Sequence, residues 1–279
     1  MDLVCVILAA GKGVRMASPV PKPLVKFEGK SFLERAILAA QGVGPDEVCV
    51  VVRFEREKVE REARRVLPSC VFALQDDVPG TGRAMECALD TLKADLGPTS
   101  TILAMASDIP LLSSSILSNL LLAHKKSKAA ATVLAARVDD PFGYGRIILS
   151  PSGEVEKLVE EKDASPEEKK VRLVNTSVYA FQAAALEKAA GRAGRGNAQG
   201  EVYLTDLLML CRESGKVESF ACQDPLLLRG VNSPSQLLAL QKDWNGRKAE
   251  EAERIEYRKA PGPDDEQKGR LARSKEVGL

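Results

Sequence analysis

The residues best suited to chemistry stand near the start of the chain. A short apolar run, Val4-Cys5-Val6-Ile7-Leu8-Ala9-Ala10, gives way to Gly11-Lys12-Gly13-Val14-Arg15-Met16 and then to Pro21-Lys22-Pro23. Small residues at the end of a buried strand let main-chain N–H groups approach a ligand, and Gly11 and Gly13 can take backbone angles closed to other residues. Lys12, Arg15 and Lys22 surround that space with positive charge. The combination describes a cradle for a triphosphate. Two familiar phosphate loops are excluded. No G-x-x-x-x-G-K-[ST] string follows the run, and Met16 stands where G-x-G-x-x-G needs its last glycine.

Further groups of the right chemistry follow at intervals. Leu74-Gln75 precedes Gly80-Thr81-Gly82; an amide at that point can donate to and accept from a pyrimidine edge, and Thr81 is placed to cap a helix. Asp108 lies between the apolar run 100–106 and Pro110, where one carboxylate can anchor Mg²⁺ together with phosphate and water. Asn232, after Gly230-Val231, offers a second, neutral oxygen to the same ion. Gly143-Tyr144-Gly145 again permits close backbone approach, while Glu160 and Asn175 are suitable partners for sugar hydroxyls and an N-acetyl group.

These groups need elements to hold them. Apolar runs at 3–9, 47–53, 70–74, 100–106 and 130–138 alternate with helical spacing at 31–42, 54–66, 81–94 and 113–126. The expected fold is therefore α/β: a Rossmann-like, mostly parallel sheet flanked by helices, with ligands bound beyond the carboxyl ends of the strands. The second half reads as a hairpin over 145–149 and 155–160, strands at 172–182 and 217–222, and helices at 205–215 and 234–244. It makes a smaller, β-rich part. Residues 1–245 form the expected catalytic domain, 1–112 mainly for the nucleotide and 113–245 mainly for its partner; 246–279 reads as a charged, frayed helix and disordered tail.

Composition narrows the function. Forty Lys+Arg against 39 Asp+Glu leave a net charge of +1, so neither nucleic acid nor an anionic membrane is the expected partner. No apolar run is long enough to span a bilayer. The six cysteines contain no C-x-x-C pair, and with no signal segment the expected compartment is the cytoplasm. The single histidine, His124, reads as the exposed end of a helix, which argues against histidine-based metal or triad chemistry.

The ordered set of motifs, L-A-A-G-K-G-x-R-M, P-K, Q-x-x-x-x-G-T-G, D-x-P-L, D-P-x-G-Y-G-R-I, V-E-x-K-D-A, N-T, N-A-Q-G-E and G-V-N, resembles the sugar-phosphate nucleotidyltransferases. Within them it resembles the N-terminal uridylyltransferase domain of the bacterial bifunctional N-acetylglucosamine-1-phosphate uridyltransferases, over roughly residues 3–245. The resemblance implies the nucleotide-diphospho-sugar transferase fold and Mg²⁺-dependent transfer from UTP to a sugar 1-phosphate, a step in cell-wall precursor synthesis. It assigns uracil and ribose to Leu8, Ala9, Gly11, Gln75, Gly80 and Thr81, and the departing phosphates to Arg15 and Lys22 as catalytic cations. It gives the metal to Asp108 and Asn232, and the sugar to Gly145, Glu160, Asn175, Tyr203 and Thr205.

The chain departs from the family pattern at Val14, usually Thr, at Ala106-Ser107, usually Tyr-Gly, and at Ser177, usually Gly. The last two departures fall where a sugar's acyl group should pack. The family's hexapeptide-repeat acetyltransferase module has no counterpart in 246–279, so the expectation is a monomer or weak dimer. The same reaction on another sugar 1-phosphate or nucleotide, and a binding homologue without turnover, are the alternatives.

Overall fold

A computed structural model describes residues 1–16 and 18–259. The first half alternates as expected: β1 (Leu3–Leu8), β2 (Lys26–Phe27), β3 (Lys30–Ser31), α1 (Phe32–Gln41), β4 (Glu47–Val52), α2 (Arg56–Val66), β5 (Val71–Leu74), α3 (Thr81–Leu92), β6 (Thr101–Ala106), α4 (Ser114–Ser127) and β7 (Ala131–Arg137). The second half contains β8 (Arg146–Leu149), β9 (Val155–Val159), β10 (Leu173–Gln182), α5 (Ala183–Ala189), α6 (Leu204–Leu210), β11 (Val217–Cys222) and α7 (Pro234–Lys259).

The main path of the sheet runs β11-β7-β10-β6-β1-β4-β5. All neighbours on this path are parallel except β10, which is antiparallel to both β6 and β7. The sheet is thus mixed. A parallel return needs a long crossover, and between β9 and β10 there is only a 3₁₀ turn at Glu168–Lys170. Successive residues of β1 serve opposite faces, which is why its whole middle is apolar. Val4 and Val6 pack with α3, α5 and α6, whereas Cys5 and Ile7 pack with α1, α2 and α4. Five of the six free cysteines are buried, and burial pushes the Cys5, Cys49 and Cys211 thiols up to about 12.

Three elements were not expected. The β2–β3 hairpin turns through Glu28 and Gly29, both at positive φ, and the seven-residue, alanine-rich α5 follows β10 directly. His124 is a correction. It is buried, and its Nδ1 lies 2.9 Å from the Thr132 hydroxyl. It sits in the last turn of α4, where Lys125 and Lys126 dominate the local sequence, but its own face turns inward.

The chain divides into two compact units, Met1–Pro234 and Ser235–Leu279. The first contains every strand and every candidate site residue. In the second, α7 is helical as far as Lys259, with no break near the expected fraying point at 246; the rest of the expected tail, 260–279, lies outside the described residues. Among the described residues no helix is long and apolar enough to cross a membrane.

Candidate active site

Hydrogen bonding gathers the carboxyl ends of the parallel strands. The Ser107 N–H donates to Leu8 O at 3.2 Å, and the Gln75 N–H donates to Val52 O at 3.0 Å. The loops after β1, β4, β5 and β6 therefore leave the sheet at one edge. Because β10 runs the other way, its first residues lie on this same edge. Its Val178 pairs with Met105 near the end of β6, which leaves Asn175 beyond that end.

Four expected residues converge here. The Lys22 ammonium bonds Asp108 Oδ2, and it donates to Asn232 Oδ1 at 2.7 Å. The Arg15 guanidinium donates to the same Asn232 oxygen at 3.1 Å. Gly13 makes this possible: at φ +63° any β-carbon would come within 2.5 Å of Lys22 Cβ. The chain from Asp108 to Asn232 is closed by the Val231 N–H, which donates to Asp108 O at 2.9 Å. Gly11 faces open space, with no atom within 4 Å of a β-carbon built there. Lys12 lies over the Phe54 ring, 5.8 Å from its centroid, rather than beside Lys22.

The oxygens of this cluster can be tested against the divalent ion the resemblance implies. Asp108 Oδ2 and Asn232 Oδ1 both bond one ammonium, so a single cation can bridge them. One carboxylate and one neutral oxygen suit Mg²⁺, which takes its other ligands from phosphate and water. Among the described residues no three His, Cys, Asp or Glu side chains gather as a metal cage.

The Gln75 turn differs from its expected use. Gln75 is buried, and its amide nitrogen donates to Val78 O and Gly80 O at 2.9 and 3.1 Å. Both donors are spent holding the turn, so only the carbonyl oxygen remains to meet a base donor. Thr81 is not the cap of α3; Gly80 is, at φ +120°. The Thr81 hydroxyl instead accepts from the Leu204 N–H at 3.2 Å. A β-carbon on Gly80 would collide with Val202 O, and one on Gly82 would lie 2.7 Å from Tyr203 O. These glycines thus serve a main-chain contact with residues 202–203.

A second cluster holds Gly145, Glu160, Asn175 and Thr205. The Thr205 hydroxyl donates to Glu160 Oε1 at 3.2 Å. A β-carbon on Gly145 would lie 3.2 Å from Glu160 Oε2 and 3.5 Å from Asn175 Cβ. Burial above all, with Asp163, Asp206 and Glu201 nearby, holds the Glu160 carboxyl above the usual range, against the Thr205 hydrogen bond. Asn175 donates to the Tyr179 hydroxyl at 2.8 Å and accepts from the Ser177 N–H at 3.0 Å. Ser177 sits at φ +59° in the bulge between Asn175 and Tyr179. That left-handed angle favours glycine, which accounts for the family residue there. Tyr203 stands apart: its hydroxyl donates to Asp163 Oδ2 and accepts from Gln199, and burial first of all pushes it up to about 12.

Residues that reading the sequence missed are mostly supports. Arg146 is fully buried and Glu161 pairs with it at 2.6 Å. A lone cation opening the apolar run Ile147-Ile148-Leu149 was the available signal. Tyr144 faces the other cluster: burial above all raises its hydroxyl, with Arg229, Asp108 and the Gly230 main chain in electrostatic reach of it.

The model of the MobA-like NTP transferase domain matches residues 5–212. The chain is 48% identical over 241 residues to the bifunctional protein GlmU of Bifidobacterium animalis subsp. lactis strain AD011, covering 86% of this chain and 52% of that protein. With GlmU of Kineococcus radiotolerans the figures are 47% over 243 residues, 87% and 49%. The chain thus spans about half the length of the curated relatives it matches. Among solved structures, apo UDP-glucose pyrophosphorylase superposes with a TM-score of 0.68 at 16% identity, covering 89% of this chain and all of that one. The same kind of enzyme complexed with UDP-glucose gives 0.66 at 17%, covering 88% and 100%. At such identity these two speak for the fold: a mixed sheet flanked by helices, as in nucleotide-sugar pyrophosphorylases.

Proposed function

This chain belongs to the MobA-like NTP transferase family and is a nucleotidyltransferase, and from that premise we propose that it transfers a uridylyl group from UTP to N-acetylglucosamine 1-phosphate, releasing pyrophosphate. The observation that carries the reading is the convergence of Arg15, Lys22, Asp108 and Asn232 on one cation position. A cluster of Gly145, Glu160, Asn175 and Thr205 lies on the same sheet edge.

The acceptor phosphate is already a nucleophile, so the protein needs none of its own. One acceptor oxygen forms a bond to the α-phosphorus of UTP in line as the bond from that phosphorus to the β-phosphoryl oxygen breaks. Catalysis is then positioning and charge neutralisation. Arg15 and Lys22 take up charge on the departing pyrophosphate. Asp108 and Asn232 would hold Mg²⁺, which supplies further neutralisation of the triphosphate when bound. The Gln75 carbonyl oxygen is left to accept from the uracil N–H. Glu160 accepts from sugar hydroxyls, and Asn175 lies at the acyl group. The names of the two GlmU relatives and the match to the transferase family support this reading.

A pyrophosphate-release assay over a matrix of nucleoside triphosphates and sugar 1-phosphates tests it. Fastest turnover is expected with UTP and N-acetylglucosamine 1-phosphate in the presence of Mg²⁺. Pyrophosphate release from no pair, or a preference for purine nucleotides, would refute the proposal.

A further inference from the structure

Arg146 is the largest fully buried side chain of the described residues, and it lies in neither cluster of the site. Its guanidinium bonds the Tyr144 carbonyl, donates to Glu161 Oε2 at 2.6 Å and to Lys169 O at 3.4 Å, and leaves Nε buried with no partner. A buried pair with an unmet donor is a poor source of stability, since a well-packed apolar side chain of similar volume serves as well or better. Its geometry offers another reason for it. Glu161 Oε2 also accepts from the Gly143 N–H at 3.2 Å, so the pair grips both sides of the 143–145 turn. On one side of that turn Gly145 abuts Glu160 and Asn175, and the Asn175 N–H donates to Gly145 O at 2.9 Å. On the other side the Tyr144 hydroxyl lies within electrostatic reach of Asp108 and of the main chain at Gly230, two residues before Asn232.

We infer that Arg146, through its pair with Glu161, is a positioning residue that sets the 143–145 turn between the acceptor cluster and the cation cluster, and so fixes where the sugar 1-phosphate sits. The inference rests on the proposed reaction. The turn abuts the acceptor residues directly, so loosening it moves the acceptor more than the nucleotide.

Steady-state pyrophosphate release by Arg146→Lys and Glu161→Gln, with each substrate varied in turn, reads this directly. Arg146→Lys keeps the charge but loses the two-pronged grip on the Tyr144 carbonyl and Glu161. Glu161→Gln keeps the volume at a side chain partly open to solvent, and remains informative if Arg146→Lys does not fold. Each variant should raise KM for the sugar 1-phosphate about tenfold, with KM for UTP within about twofold of wild type. Equal changes in both KM values, or a lower kcat alone, would show a merely structural role and overturn the inference. Wild-type chain that turns over no UTP and sugar 1-phosphate pair would overturn the proposed reaction and this inference together; wild-type turnover with an unchanged acceptor KM in both variants would overturn this inference alone.

Discussion

The buried His124 gives a stability signature that is open to direct measurement. Desolvation lowers its ring from 6.5 to about 4 in the folded chain. Above pH 6.5 the ring is neutral whether the chain is folded or not, and it places no load on folding. Below 6.5 the unfolded chain binds a proton that the folded chain refuses until pH falls to about 4, so unfolding takes up a proton and stability falls with pH. Integrated over that window, the loss is about 2 kcal/mol at pH 5 and about 3 kcal/mol at pH 4. His124→Asn keeps a polar group close to the position of Nδ1, opposite the Thr132 hydroxyl, and removes the titration. Chemical denaturation of both proteins at pH 7 and pH 5 cancels every other titrating group, the raised Glu160 and Asp206 carboxyls included. Wild type should lose about 2 kcal/mol more than the variant on acidification. Equal losses would mean that water reaches the ring and that its burial does not exclude the charged form.

Other perturbations bear on the site. Asp108→Asn should lower turnover at least about tenfold, or about 1.4 kcal/mol of transition-state stabilisation, without unfolding the chain; full activity of the variant, or of wild type in excess EDTA, would contradict the metal role. Lys22→Met should lower kcat as well as raise KM for UTP, because its ammonium is assigned to charge that develops on the departing pyrophosphate; a change in KM alone would make it a ground-state binder. Gly80→Ala forces a β-carbon onto Val202 O at φ +120° and should destabilise by about 3 kcal/mol or more; an unchanged melting curve would show that residues 202–203 yield easily.

The parallel half of the fold was legible because strictly apolar strands and amphipathic helices alternate in it with little ambiguity. The direction of β10 was not, since strand periodicity carries no sign of direction and the preceding segment holds only a 3₁₀ turn. The β2–β3 hairpin was missed because strands of two residues have no period to read. His124 was misjudged because its neighbours in the chain are lysines, while its burial is decided by β7 across the helix. For the site, residue type and order marked Lys22, Asp108 and Asn232. That the Gln75 amide would be consumed by Val78 and Gly80, or that Thr81 would serve Leu204, depends on contacts between distant segments that no local pattern encodes.

The reversed strand also bears on how the chain is made. β10 seals the flank of β6, yet it is synthesised long after it: from Ala106 to Gln182 the ribosome must add 76 residues. At ordinary translation speeds this takes roughly 4–15 s. Through that interval a nascent β1-β4-β5-β6 sheet presents a bare flank carrying Ile102, Leu103, Ala104 and Met105, side chains that end fully buried. Such an open edge invites pairing with another nascent chain. Quality-control factors that shield strands emerging from the ribosome would therefore influence the yield of this protein most during that interval, before its own tenth strand arrives.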